Sequence, residues 1–131
     1  MTKILFACVG NSCRSQIAEA FCRELKKDVE YASAGSNPEA KVLPEAIAVM
    51  KEVGIDISGA RPKGFKDLAD LKFDYLVTMG CDVICPSLPG AQVIGWEIPD
   101  PKGKSLDEFR RVRDMIKQEV VNLLSALTKN E

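Results

Sequence analysis

Five residues, Val9, Gly10, Asn11, Ser12 and Cys13, separate Cys8 from Arg14. A cysteine thiolate is a nucleophile, and an arginine can hold two oxygens of a tetrahedral oxyanion at once, which a lysine cannot. A loop this short between a strand and a helix can wrap its backbone N–H groups around a single oxyanion. Gly10 permits positive φ and Asn11 tolerates left-handed geometry, so both are expected to turn amides inward. Those amides, the helix N-terminus and the Arg14 cation favour Cys8 as a thiolate. Ser15 follows and can donate its hydroxyl to the sulfur. Cys8, Arg14 and Ser15 are therefore candidate catalytic residues, and Val9, Gly10, Asn11, Ser12, Cys13 and Arg14 the candidate oxyanion cradle. The plainer alternative is a strand-end cysteine in a glycine turn beside a surface arginine. The spacing alone does not decide against it; the position after a first strand and before a helix does.

The remaining chemistry is set by what the chain lacks and by its other thiols. It has no histidine, so the commonest general base and the commonest metal ligand are both missing. A proton for a leaving oxygen must come from a carboxylic acid, a tyrosine or water. Asp100, stiffened between Pro99 and Pro101, is the candidate acid, though on its own it also reads as an ordinary turn aspartate. The five cysteines are an odd number, and no leader segment is evident at the N-terminus, so a reducing cytoplasmic setting is expected. Cys81 and Cys85 sit in GCDVICPSLPG, a loop after the third strand, and a parallel sheet can bring that strand's end near Cys8. Three further readings of these thiols stand beside a redox role: a four-thiolate zinc site of Cys8, Cys13, Cys81 and Cys85, inert core cysteines, or a pair protecting a hydrolase from oxidation. A zinc site leaves Arg14 and the oxyanion cradle without purpose, so no metal and no cofactor is expected. Cys22 falls on the apolar side of the first helix and reads as a small core residue.

The elements that must position these residues are legible in outline. Lys3 to Cys8 is a short apolar run of strand length, ended by turn-prone residues. Ile17, Phe21 and Leu25, with Ala18 and Cys22 beside them, fall at helical spacing, and Gln16, Glu19, Arg23 and Lys27 form the polar face. Glu30 to Ala34 reads as a second strand. A second helix is expected with Pro44 in its first turn, Ile47, Met50 and Val53 facing inward, and Gly54 as its stop. Phe73 to Met79 and Ala91 to Ile98 read as strands three and four. Ser105 with Glu108 is a capping-box signature for a last helix that buries Leu106, Phe109, Val112, Ile116, Val120, Leu123 and Leu127. Strands alternating with helices predict a three-layer α/β/α fold around a four-stranded parallel sheet, with ligands beyond the strands' carboxyl ends.

At 131 residues the chain suits one domain spanning residues 1–131, and no repeat or linker divides it. Hydrophobic residues make up 46% and charged residues 28%, as in ordinary soluble proteins. A formal net charge of −1, with no run of one sign, excludes the electrostatic footprint of a nucleic-acid or membrane-surface partner. No apolar stretch is long enough to cross a bilayer.

The segment CVGNSCRSQIAEAF resembles the active-site loop of the low-molecular-weight tyrosine phosphatase fold, and within it that of the thioredoxin-coupled arsenate reductases. The resemblance extends over essentially the whole chain, through the ASAG segment, GIDISGARPK, FDYLVTMGC and PDPKGK. It implies attack of Cys8 on arsenate, then a disulfide cascade from Cys8 to Cys81 and on to Cys85, reset by thioredoxin or a similar dithiol. It implies Asp100 as general acid. Gln16 stands where the phosphatases usually place a proline, and Lys102, Gly103 and Lys104 where they usually place paired tyrosines, both of which lean toward the reductases. Three residues separate Cys81 from Cys85, where such reductases often have a longer gap. The phosphatase, hydrolysing a phosphomonoester through a cysteinyl-phosphate, stays as the alternative; there Cys13 can form a reversible disulfide with Cys8, or be a spectator. Some reductases bind potassium behind the loop with residues matching Asn11, Glu19 and Ser33. Here Lys63 is expected to replace that cation by pairing with Glu19.

Overall fold

The computed structural model describes residues 2–25, 28–68, 72–80 and 90–129, the side chains of the last two excepted. In chain order the elements are β1 (Lys3–Cys8), α1 (Arg14–Leu25), β2 (Glu30–Gly35), α2 (Pro44–Glu52), a 3₁₀ turn (Phe65–Leu68), β3 (Tyr75–Met79), β4 (Gln92–Trp96) and α3 (Leu106–Lys129). The four strands form one sheet in the order β2-β1-β3-β4, with every pair parallel. This is the expected parallel sheet with flanking helices.

Alternation along β1 shows how the sheet divides two cores. Ile4, Phe6 and Cys8 enter the larger one, shared with α1, α2 and α3. Leu5 and Ala7 enter the smaller one with Ala34, Phe73 and Leu76, where Phe65 and Leu68 of the 3₁₀ turn pack. The two covers are therefore unequal. Burying a side chain such as Phe6 or Ile4 completely contributes about 1.5–3 kcal/mol, so β1, buried along almost its whole length, anchors the molecule. Its carboxyl end, at Cys8, lies between those of β2 and β3.

Several boundaries and faces differ from the sequence expectation. α2 buries Ala46, Val49 and Met50, while Val53 is 42% exposed, because the helix ends at Glu52 and Gly54, at φ 82°, reverses the chain. Leu106 is 43% exposed, being the first residue of α3, and Leu124 takes a core place. Leu25, in the last turn of α1, is also exposed. Gln16, assigned to the polar face of α1, is buried. β4 stops at Trp96, opposite Met79, where β3 also ends, and the Ile98 carbonyl beyond it accepts from Arg14. The Ser105 hydroxyl accepts from the Glu108 amide at 3.3 Å, but the Glu108 carboxylate turns to Arg111, so only half of the capping box forms. Lys27 lies outside the described residues. Among the described residues no helix is long and apolar enough to cross a membrane.

Candidate active site

The cradle begins where β1 ends. Residues 9–13 form the turn between Cys8 and Arg14, the first residue of α1. A nest that points its amides inward must point its carbonyls outward, and buried carbonyls need donors. The segment after β2 supplies them. Amides of Ser36, Asn37, Glu39 and Leu43 donate to the carbonyls of Cys8, Val9, Gly10 and Ser12 at 3.2, 2.8, 2.9 and 2.9 Å, and the Ile17 amide donates to that of Cys13. Among the described residues the amides of residues 9–13 have no acceptor of their own, which leaves them to an anion.

Asn11 has φ 49°, the left-handed turn expected of it. Gly10 does not: its φ is not in the left-handed region, and its lack of a side chain leaves room for its neighbours' side chains. A Cβ there would stand 2.8 Å from Oε1 of Glu39 and 3.1 Å from the Ser12 hydroxyl. Gly35 is tighter still, since its Cβ would meet the Val9 carbonyl oxygen at 2.5 Å and the Asn11 amide at 2.9 Å.

Cys8 is buried, with Sγ 2.9 Å from Oγ of Ser15. Asn11 holds the serine in that contact. Its Oδ1 accepts from the Lys63 amide at 2.7 Å and from Nε2 of Gln16 at 3.1 Å, so its Nδ2 must be the atom that faces Ser15, at 2.7 Å. A backbone N–H can only donate, which fixes the orientation of the Asn11 amide. The Ser15 hydroxyl keeps its proton for an acceptor, which the Cys8 sulfur is once it carries charge. Gln16 is held in turn by the Arg61 carbonyl at 3.0 Å.

Arg14 is buried and donates through Nη1 to the carbonyls of Met79, the last residue of β3, and Ile98, two residues past β4. Its Nη2 lies 3.8 Å from Oδ2 of Asp100, whose side chain is 48% exposed. The Asp100 Oδ1 accepts from the Lys102 amide at 3.1 Å. Behind the cradle the Ser33 hydroxyl donates to Glu19 at 2.6 Å, and the Lys63 ammonium stands 4.0 Å from the same carboxylate oxygen. Burial pushes the Cys13 thiol well above its ordinary range, reinforced by Cys8 and Asp100 nearby, and pushes Cys22 up to about 12 with help from Glu19. Both stay protonated at neutral pH.

The pocket over Cys8 has a volume of about 190 Å³. Besides the cradle residues, Asn37, Glu39, Asp100 and Lys102 line it. A larger cavity of about 590 Å³, lined by Thr78, Gly80, Gly95, Trp96, Glu97, Ile98 and Pro99, has neither a thiol nor an arginine among those residues, so chemistry and not size marks the site. The structure thus brings Cys8, Arg14, Ser15 and Asp100 to one place, with Asn11, Glu19, Ser33 and Lys63 behind them. Cys81 and Cys85 lie outside the described residues, and with them the redox and four-thiolate readings. Glu39, Asn37 and Lys102 were not singled out as site residues. No local motif marks the first two, since the fold brings them over the loop from after β2.

The low molecular weight phosphotyrosine protein phosphatase family matches residues 3–131. The arsenate reductase of Staphylococcus aureus (strain Newman) is 46% identical over 135 residues, covering 95% of this chain and 99% of that one. The glutaredoxin arsenate reductase of Synechocystis sp. is 37% identical over 131 residues, covering 98% of this chain and 100% of that one. A solved structure, an arsenate reductase in the phosphate binding state, is similar with a TM-score of 0.85 at 39% identity, over 96% of this chain and 98% of that chain.

Proposed function

The chain belongs to the low molecular weight phosphotyrosine protein phosphatase family, and on that premise we propose that it is an arsenate reductase whose nucleophile is Cys8. The observation that carries this reading is a small oxyanion cradle with a thiol at its base and a charged mouth of Glu39, Asp100 and Lys102. Among the described residues lining it, none is aromatic, so nothing there would grip an aryl ester. The names of the relatives agree with it.

In this reading the amides of Val9, Gly10, Asn11, Ser12 and Cys13 and the guanidinium of Arg14 hold arsenate. The Cys8 thiolate attacks arsenic, and one arsenate oxygen leaves as water with a proton from Asp100. Cys81 then attacks the Cys8 sulfur. The electron pair of the S–As bond passes to arsenic, arsenite departs, and a Cys8–Cys81 disulfide remains. Attack by Cys85 frees Cys8, and thioredoxin or a similar dithiol reduces the Cys81–Cys85 disulfide. Lys63, beside Glu19, supplies the positive charge behind the loop, and Cys13 is a spectator thiol. A supply of reduced dithiol places the reaction in the cytoplasm.

The test is arsenate-dependent oxidation of reduced thioredoxin, with a disulfide map after one turnover without external thiol. Loss of turnover in Cys8→Ser, Cys81→Ser and Cys85→Ser, with Cys81–Cys85 as the mapped disulfide, is the expected result. Full turnover in the last two variants, with phosphomonoester hydrolysis lost only in Cys8→Ser, overturns it in favour of the hydrolase.

A further inference from the structure

One ion pair crosses the mouth of the pocket and has no part in the chemistry above. The Lys102 ammonium donates to Oε1 of Glu39 at 2.8 Å, and the Ser12 hydroxyl donates to the same oxygen at 3.2 Å. Each partner is tied by its backbone to a different wall. The Glu39 amide donates to the Gly10 carbonyl, fixing it to the cradle, and the Lys102 amide donates to Asp100, fixing it to the acid loop. The side chains therefore meet over the opening while their roots stay on opposite sides. Gly10 leaves the space that the Glu39 carboxylate fills.

We propose that Glu39 and Lys102 form a charge latch that selects free inorganic oxyanions: Lys102 leaves Glu39 for the outward oxygen of the bound anion. The lysine side chain is about half exposed and that of Glu39 about a third, so their pairing is weak and cheap to open. A free tetrahedral oxyanion seated on the amides presents an outward oxygen bearing negative charge, which competes with Glu39 for the ammonium. An ester presents an organic group at that position. It offers Lys102 no charged oxygen there and must part the pair without replacing it. Glu39 meanwhile repels any dianion beneath it and competes with that dianion for Lys102, so its charge limits affinity. Specificity here comes from one attractive and one repulsive element acting together.

The latch rests on the proposed reductase only for naming arsenate as the anion; oxyanion binding itself can be read without turnover. Calorimetric titration of the reduced protein with inorganic phosphate is the direct measurement, on wild type, Lys102→Met, Lys102→Arg and Glu39→Gln. Loss of one charge-assisted contact predicts ~5- to 10-fold weaker phosphate binding in Lys102→Met, and Lys102→Arg should stay near wild type. Glu39→Gln should bind phosphate ~3-fold more tightly, because it frees the lysine and removes a like charge. The opposite signs are what a merely structural ion pair cannot produce, and thermal melting confirms that each variant is folded. Weaker binding in both Lys102→Met and Glu39→Gln, or no change in either, overturns the latch even if the wild type reduces arsenate. Opposite signs in a protein that leaves thioredoxin unoxidised by arsenate uphold the latch and discard the reductase.

Discussion

Oγ of Ser15 lies 2.9 Å from Sγ of Cys8 and accepts from the Asn11 amide, so its proton is available to the sulfur when Cys8 attacks as a thiolate. A hydrogen bond to a charged acceptor contributes about 1.5–3 kcal/mol, so Ser15→Ala should lower kcat/KM for arsenate by roughly 10- to 100-fold. Ser15 does not line the pocket, and the KM should therefore change little. Alkylation of Cys8 at a fixed neutral pH should slow in parallel, since the sulfur loses the hydroxyl that faces it. Steady-state kinetics beside an iodoacetamide time course checks both. Unchanged alkylation would show that the serine does not act on the sulfur.

Gly35 tests the cradle from behind. It pairs with Cys8 at the end of β2 and lets the backbone of Val9 and Asn11 approach more closely than any side chain allows. Both atoms its Cβ would strike belong to main chain, so no rotamer change relieves the clash. Gly35→Ala should cost about 1–3 kcal/mol of stability and lose most oxyanion affinity, because the loop must move. Urea denaturation and phosphate titration read the two effects separately. Gly54→Ala serves as a contrast: space there is open and only the positive φ is lost, so stability should fall while phosphate binding stays.

The difference between Gly10 and Gly35 shows what a sequence conveys about such a site. The Cys8-to-Arg14 spacing, the strand before it and the helix after it are local, and they put Cys8, Arg14 and Ser15 at the strand-to-helix turn where the structure has them. The parallel sheet followed from the alternation of strands and helices, since each parallel crossover needs a long connection such as a helix, whereas the strand order did not. Glu39 and Asn37 reach the mouth only because the segment after β2 is laced to the outer carbonyls of the cradle. That is a long-range contact, and no periodicity records it. Gln16 was misplaced for the same reason. Helical spacing put it on the polar face, whereas its amide is buried against Asn11 and the Arg61 carbonyl, partners 5 and 45 residues away in sequence. What fills the space beside Gly10 depends likewise on Glu39, which its own neighbours in sequence do not reveal.

Cys22 gives the stability of the fold a pH dependence. Burial, with Glu19 nearby, raises its folded pKa from an ordinary 9.0 to about 12. Below pH 9.0 the thiol is protonated in both states, and its full stabilising contribution is present. Between 9.0 and about 12 the unfolded chain loses this proton while the folded chain keeps it, so stability falls as pH rises. The slope from one such thiol is about 1.4 kcal/mol per pH unit at its steepest. Cys22→Ala removes that term. Its deficit relative to wild type at pH 8 should therefore shrink at pH 10 and 11, as urea midpoints at the three pH values will show. A deficit constant with pH would mean that Cys22 ionises alike in both states.

Asp100 separates the acid from the turn. Its Oδ1 accepts from the Lys102 amide and holds the loop, while its Oδ2 stands 3.8 Å from Nη2 of Arg14 and lines the pocket over Cys8. Asparagine can keep the first contact but has no proton to give as an acid. In a chain without histidine no stronger neutral-pH donor stands ready to replace it. General acid catalysis typically contributes 10²- to 10⁴-fold, so Asp100→Asn should lower the rate of arsenate adduct formation by about 100-fold or more. Phosphate affinity should hold, or tighten slightly as a carboxylate near the anion is neutralised. Rapid-quench measurement of arsenate-dependent loss of free thiol in a single turnover isolates that first step from the disulfide exchanges that follow. A rate within threefold of wild type, with phosphate bound normally, would reduce Asp100 to a turn residue and leave proton delivery to water.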